Sequence, residues 1–184
     1  MITAPELPAT TLANYCYDWM FYGCANLVEA PALPATTLAD YCYDYMFYGC
    51  SRLVEAPELP ATTLTYSCYQ CMFSNCSNLV NAPELPATTL ANNCYQNMFH
   101  SCANLVEAPE LPATTLAYAC YSFMFAYCRK LKYVKCFAET VPQNTCNGWL
   151  MYVASTGDFY NLGGADFPSG ASGIPTGWTE HTSL

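Results

Sequence analysis

The sequence predicts an α/β solenoid: an arc of five 26-residue strand–helix units followed by a non-repeating C-terminal cap. Three observations predict it. First, the string APELPATTL begins at Ala4, returns as APALPATTL at Ala30, and recurs at Ala56, Ala82 and Ala108 without insertion or deletion. A fixed period of this length marks a chain of stacked repeats. Second, each unit holds a short apolar run ended by proline, such as Leu27, Val28, Glu29, Ala30 and Pro31. It reads as a strand of about three or four residues, since proline cannot donate to a sheet ladder. Third, from Leu38 apolar residues recur every four positions at Cys42, Met46 and Cys50, with Tyr43 and Phe47 beside them. That stripe reads as an amphipathic helix of roughly three turns, capped by Thr36 or Thr37.

The boundaries follow from the period. Residues 1–132 form the repeat region, with units starting at 4, 30, 56, 82 and 108. Residues 133–184 leave the period and read as a capping segment of short strands and loops, anchored by Trp149, Val153, Phe159 and Trp178. A stack of repeats needs such a cover on its last unit. Met1, Ile2 and Thr3 align with Leu27, Val28 and Glu29, so the chain starts inside a repeat. The expectation is either self-association through that uncapped first repeat or further repeats upstream, because an open strand edge invites pairing.

One strand and one helix per unit describe a leucine-rich-repeat arc. The segment CYDYMFYGCSRL, Cys42 to Leu53, resembles the BspA-like leucine-rich repeats of bacterial surface proteins. Phe47, Cys50 and Leu53 stand at that family's Phe, Cys and Leu positions. Met46 stands where the family usually has Ala, and Cys42 where it has Ile. The unit is longer than the common form, with its extra residues around LPATT. The tail GWLMYVASTGDFYNLGG is similar to the segment that follows such repeats in gut-bacterial proteins. The resemblance implies the fold and a place outside the cell, on a cell or virion surface, as part of a longer chain.

Composition narrows the function. Charged residues are only 10% of the chain, against roughly 25% in an ordinary globular protein. The net charge is −9, and Arg52 is the only basic residue before Arg129. Phosphate recognition needs clustered Lys and Arg, so nucleic acid is not expected as a partner. Arg129, Lys130, Lys132 and Lys135 read as a solvated face. No apolar run approaches the length of a membrane span, and MITAPELP has no signal-peptide pattern. No enzyme is expected. The chain has two histidines, His100 and His181, and lacks the GxSxG, HExxH and P-loop motifs. Glu6, Glu58, Glu84 and Glu110 form one column, and Glu29, Glu55 and Glu107 another; both read as a solvated acidic edge rather than a calcium ladder. No cofactor and no metal are expected.

Ten of the thirteen cysteines fall in two columns: Cys16, Cys42, Cys68, Cys94 and Cys120, then Cys24, Cys50, Cys76, Cys102 and Cys128. Both lie on the apolar stripe, where free Cys acts as a small buried hydrophobe, so reduced thiols are expected. The CxxC of Cys68 and Cys71 occurs in one unit only, and a bond between Cys136 and Cys146 stays open as an alternative.

The residues that the repeat does not constrain carry the functional argument. Six positions per unit vary, and none of the thirty holds Lys, Arg or Glu, the usual residues of a solvated helix face. Ten are aromatic: Tyr15, Trp19, Tyr22, Tyr41, Tyr45, Tyr48, Tyr66, Tyr118, Phe123 and Tyr127. Asp18, Asp40 and Asp44 stand among them as acceptors. Tyr and Trp with small polar residues are the composition of a paratope, and exposed aromatic patches mark interaction sites. The expected function is a recognition module binding a protein or glycan through this outer face. The alternative is a structural spacer or assembly unit whose repeats and cap pack on neighbouring copies.

Overall fold

The computed structural model of the chain describes residues 4–184. Met1, Ile2 and Thr3, on which the uncapped-repeat expectation rests, lie outside the described residues. The repeats stack in parallel, each unit one rung above the last. The expected helices are not there: the described residues hold no helix and only three strands, β1 Tyr133–Cys136, β2 Gly157–Asn161 and β3 Trp178–His181. They form one parallel sheet in the order β1-β2-β3. The α/β solenoid of strand–helix units is thereby overturned.

Hydrogen bonding shows what replaces the helix. In the first rung the amides of Cys16, Asp18, Met20, Tyr22 and Cys24 each donate to the carbonyl three residues back, from Ala13 to Phe21, closing overlapping β-turns. The alternate amides, those of Tyr15, Tyr17, Trp19, Phe21 and Gly23, donate at 2.7–3.0 Å to the carbonyls of Asp40, Cys42, Asp44, Met46 and Tyr48 in the next rung. Every buried amide needs an acceptor. Here half of them find it within the turn and half in the neighbouring repeat. A helix would have kept all of them inside one unit and left the rungs without a register.

The backbone bends by placing a residue in the left-handed region every four positions: Tyr15, Trp19 and Gly23, then Tyr41, Tyr45 and Gly49, and so on through Ala119, Phe123 and Tyr127. Side chains then alternate two in and two out. Cys42 and Tyr43 point in, Asp44 and Tyr45 lie at the outer side, Met46 and Phe47 point in, and Tyr48 and Gly49 lie outside again. The inward four and Cys50 are all buried. This is the physical meaning of the four-residue spacing. Four residues turn an α-helix by about 400°, so a strict period of four drifts about 40° per step off a helical stripe. It repeats without drift in a chain of turns.

The strands expected at each Leu-Val-Glu-Ala-Pro segment shrink to single bridges, such as Glu55 with Asn81 and Glu107 with Tyr133. Proline explains it. Pro31 and its equivalents remove an amide inside the segment, whereas the sixth rung reads Tyr133-Val134-Lys135-Cys136 and forms β1.

Two aromatic ladders fill the core. Phe21, Phe47, Phe73, Phe99 and Phe125 stack with centroids 5.5–5.7 Å apart and planes within 9°. Tyr17, Tyr43, Tyr69, Tyr95 and Tyr121 stack likewise, and the ladder continues through Trp149 at 6.0 Å to Phe167. Stacking continues beyond residue 132. Ala119, Tyr121, Phe123, Phe125 and Tyr127 donate to carbonyls between Asn144 and Met151, and Leu150 donates to Ala171. Trp149, Phe159 and Trp178 are buried there and Val153 is half-buried against the core.

Candidate functional site: the outer aromatic face

The two-out positions place the variable residues on one side of the turns, and the first two rungs carry rings at three of the six in each. Tyr15 lies on Tyr41 at 4.8 Å with planes 7° apart, and Tyr22 lies on Tyr48 at 4.8 Å and 8°. Trp19 bridges them, 4.5 Å from both Tyr22 and Tyr45. Tyr66 of the third rung closes edge-on against Tyr41 at 5.2 Å and accepts a hydrogen bond from Asn93 Nδ2. Tyr15 is 58% exposed and Trp19 48%; Tyr22 and Tyr66 are also exposed, while Tyr41, Tyr45 and Tyr48 are half-buried beneath them. Seven of the ten aromatic candidates therefore form one contiguous patch.

The remaining three do not join it. Tyr127 of the fifth rung belongs to a smaller group, meeting His100 of the fourth at 5.2 Å and Tyr152 at 4.8 Å, and Phe123 is half-buried and joins no described ring stack. Tyr118 is exposed and joins no described ring stack. Tyr152 is the aromatic that sequence reasoning missed. Cys146 stands one period after Cys120, and Asn144, Gly148 and Tyr152 share the left-handed conformation every four residues. That phase was the available signal.

The carboxylates differ from expectation. Asp40 is committed to the backbone: its Oδ1 accepts from the Tyr66 amide at 3.0 Å, as Asn14 and Asn92 serve the amides of Asp40 and Tyr118. Asp44 is only 7% exposed, so it is not a free surface acceptor. Burial, and then the charge of Asp18, push its carboxyl up to about 7, although the Tyr45 amide pulls the other way. Burial also raises Asp18. The Oδ1 atoms of both are buried without a hydrogen-bond partner.

The buried thiols make no reactive site. All thirteen cysteines are free, Cys136 and Cys146 included. Eight of the ten column cysteines are buried; Cys16 is exposed and Cys24 half-buried, because no described rung lies below them. Burial pushes Cys42, Cys50, Cys120 and Cys128 up to about 12, which keeps them protonated and inert. The second column also explains its residue type: Cys50, Cys76, Cys102 and Cys128 donate at 3.0–3.2 Å to the carbonyls of Phe21, Phe47, Phe73 and Phe99 one rung below. Among the described residues no group of three or more His, Cys, Asp and Glu is placed to hold a metal ion. The acidic columns line shallow grooves between successive APELP segments; one of about 350 Å³ is bordered by Pro83, Pro86, Pro109 and Pro112 with Glu84 and Glu110. Lys135 neutralises the end of that column, 3.0 Å from Glu110. No described helix is long and apolar enough to cross a membrane.

Stacked rungs, a leucine at each turn-to-bridge junction and an invariant Cys-Tyr–Met-Phe–Cys core define a repeat protein of the leucine-rich class. The model of the BspA type leucine rich repeat region matches residues 4–106 and 42–145, in six copies, and the chain belongs to that family. No curated protein and no solved structure matches the chain.

Proposed function

We propose that this chain is a non-enzymatic recognition module of a bacterial or phage surface protein, and that it grips its partner through the aromatic face of its first two rungs. The observation that carries the reading is the contiguous patch of Tyr15, Trp19, Tyr22, Tyr41, Tyr45, Tyr48 and Tyr66, free of Lys and Arg, of which Tyr15, Trp19, Tyr22 and Tyr66 are exposed in a single copy of the chain. Membership of a family typical of surface proteins supports its setting. Between the two ligand classes expected, a protein fits better than a glycan. Most of these rings already cover one another's faces, so they offer edges and hydroxyls, whereas a sugar ring is gripped by an open aromatic face. The third and fourth rungs, with Gln70, Gln96 and Asn97, supply adaptable hydrogen bonds at the rim. Binding of the whole chain to protein and glycan arrays and to intact cells, set beside its Trp19→Ala and Tyr45→Ala variants, tests the reading. Loss of a specific signal in both variants, with unchanged melting, supports it. Rings that prove covered in a self-assembled form of the wild type, with no array or cell signal, give the assembly-unit reading instead.

A further inference from the structure

One buried ionisable group plays no part in the grip described above. Asp18 and Asp44 occupy the same position on adjacent rungs, and that column continues as Gln70, Gln96 and Ser122. Acidic residues therefore stand in this column only on the two rungs that carry the main aromatic patch. Asp44 is 7% exposed, and its Oδ1, like that of Asp18, is buried with no hydrogen-bond partner. Each aspartate precedes a ring of the patch, Trp19 or Tyr45, which lie 4.5 Å apart across the rung boundary. The rung boundary itself is tied there by the Trp19 amide donating to the Asp44 carbonyl at 2.9 Å.

We propose that Asp44 is a proton-operated latch on the aromatic face: neutral, it lets the first two rungs pack; ionised beside Asp18, it forces them apart. The groups that face it are Asp18 from the rung below, the phenols of Tyr41 and Tyr45 on its own rung and the Cys71 thiol from the rung above. Each of these is neutral or negative near neutrality, so none offsets a second negative charge. Asp44 is buried and Asp18 half-buried beside it, so Asp44 cannot ionise next to a charged Asp18 without cost. The sign follows. Asp44 holds its proton in the folded chain to about pH 7, whereas in the unfolded chain it ionises near pH ~4. Between these values the folded state binds more protons, so stability falls as pH rises through the window and the full penalty stands above it. As regulation of the proposed binding site, it rests on that reading: partner grip weakens as the medium turns from mildly acidic to alkaline.

The test needs no partner, so it stands or fails apart from the binding reading. Denaturant unfolding of the whole chain is followed from about pH 5 to about pH 8 for the wild type, Asp44→Asn and Asp18→Asn. The wild type is expected to lose stability with a slope of about one proton per chain near pH ~6. Asp44→Asn should abolish that slope, and Asp18→Asn should move it to higher stability at high pH. Carbon-13 NMR of the wild-type carboxyls gives a second measurement should a variant fail to fold; one aspartate should titrate near neutrality. Equal slopes in the wild type and Asp44→Asn, or every aspartate titrating with ordinary carboxylates, overturns the proposal.

Discussion

The molecule carries two sets of stacked rings, one inside and one outside, and they differ less in geometry than in surroundings. The inner Phe47 and Phe73 stack at 5.6 Å and 5°, and the outer Tyr15 and Tyr41 at 4.8 Å and 7°. Both spacings are dictated by the backbone bonds between rungs, not by the rings. The inner column keeps one residue type through five units. An outer column changes from Asn14 and Asp40 to Tyr66, Asn92 and Tyr118, none of them buried. Rung-to-rung stacking is thus tolerant of what lies outside, because the turn hydrogen bonds use only the backbone. What lies inside must fill a fixed volume. The comparison separates a framework that any outer side chain can decorate from a core that few can satisfy.

The sharpest way to break this comparison is to empty the inner ladder. Phe73→Ala removes a fully buried ring stacked on both sides and should cost about 3–5 kcal/mol, read as a fall in the denaturation midpoint. If the loss were no larger than for an outer ring, the distinction between the ladders would fail. Trp19→Ala comes next. A central aromatic anchor contributes about 2 kcal/mol or more, roughly thirtyfold in affinity, and the proposed interface should lose that in a binding titration while the melting temperature hardly moves. Gly49→Ala probes the framework itself. A Cβ there meets nothing closer than 3.7 Å, so the cost should come from the left-handed φ of +72° alone, about 1–2 kcal/mol by thermal unfolding. A neutral result would mean that the turn relaxes out of the left-handed region. The smallest effect is chemical. A thiol reagent applied to the native chain should label Cys16 and Cys24 and spare the buried cysteines, as counted by mass before and after denaturation.

Much of this was legible in the sequence, and the misreading has one source. The period of 26, the inward Cys-Tyr and Met-Phe pairs, the free thiols and the ten outer aromatics could all be read from self-comparison of the units. The helix could not survive, although Leu38, Cys42, Met46 and Cys50 are spaced like one side of a helix. The spacing is a strict four, which drifts off a helical stripe by about 40° per step, and the apolar residues come in adjacent pairs. Gly23, Gly49 and Asn75 at one left-handed column were a further sign of turns, masked because Tyr15, Trp19 and Tyr45 hold the same conformation in the other columns. Bulky residues rarely adopt it, so propensity gives no warning there.

The sequence by itself determined the repeat, its register, its composition inside and out, and the absence of basic charge on the outer positions. Those properties are linear and survive in any fold that respects the period. The tertiary structure alone decided where each amide finds its acceptor. A run of turns is unstable as an isolated segment, because half of its N–H groups point out of the unit. Only a neighbouring rung accepts them, and that same stacking lays Trp19 on Tyr45 and buries Asp44 beside Asp18.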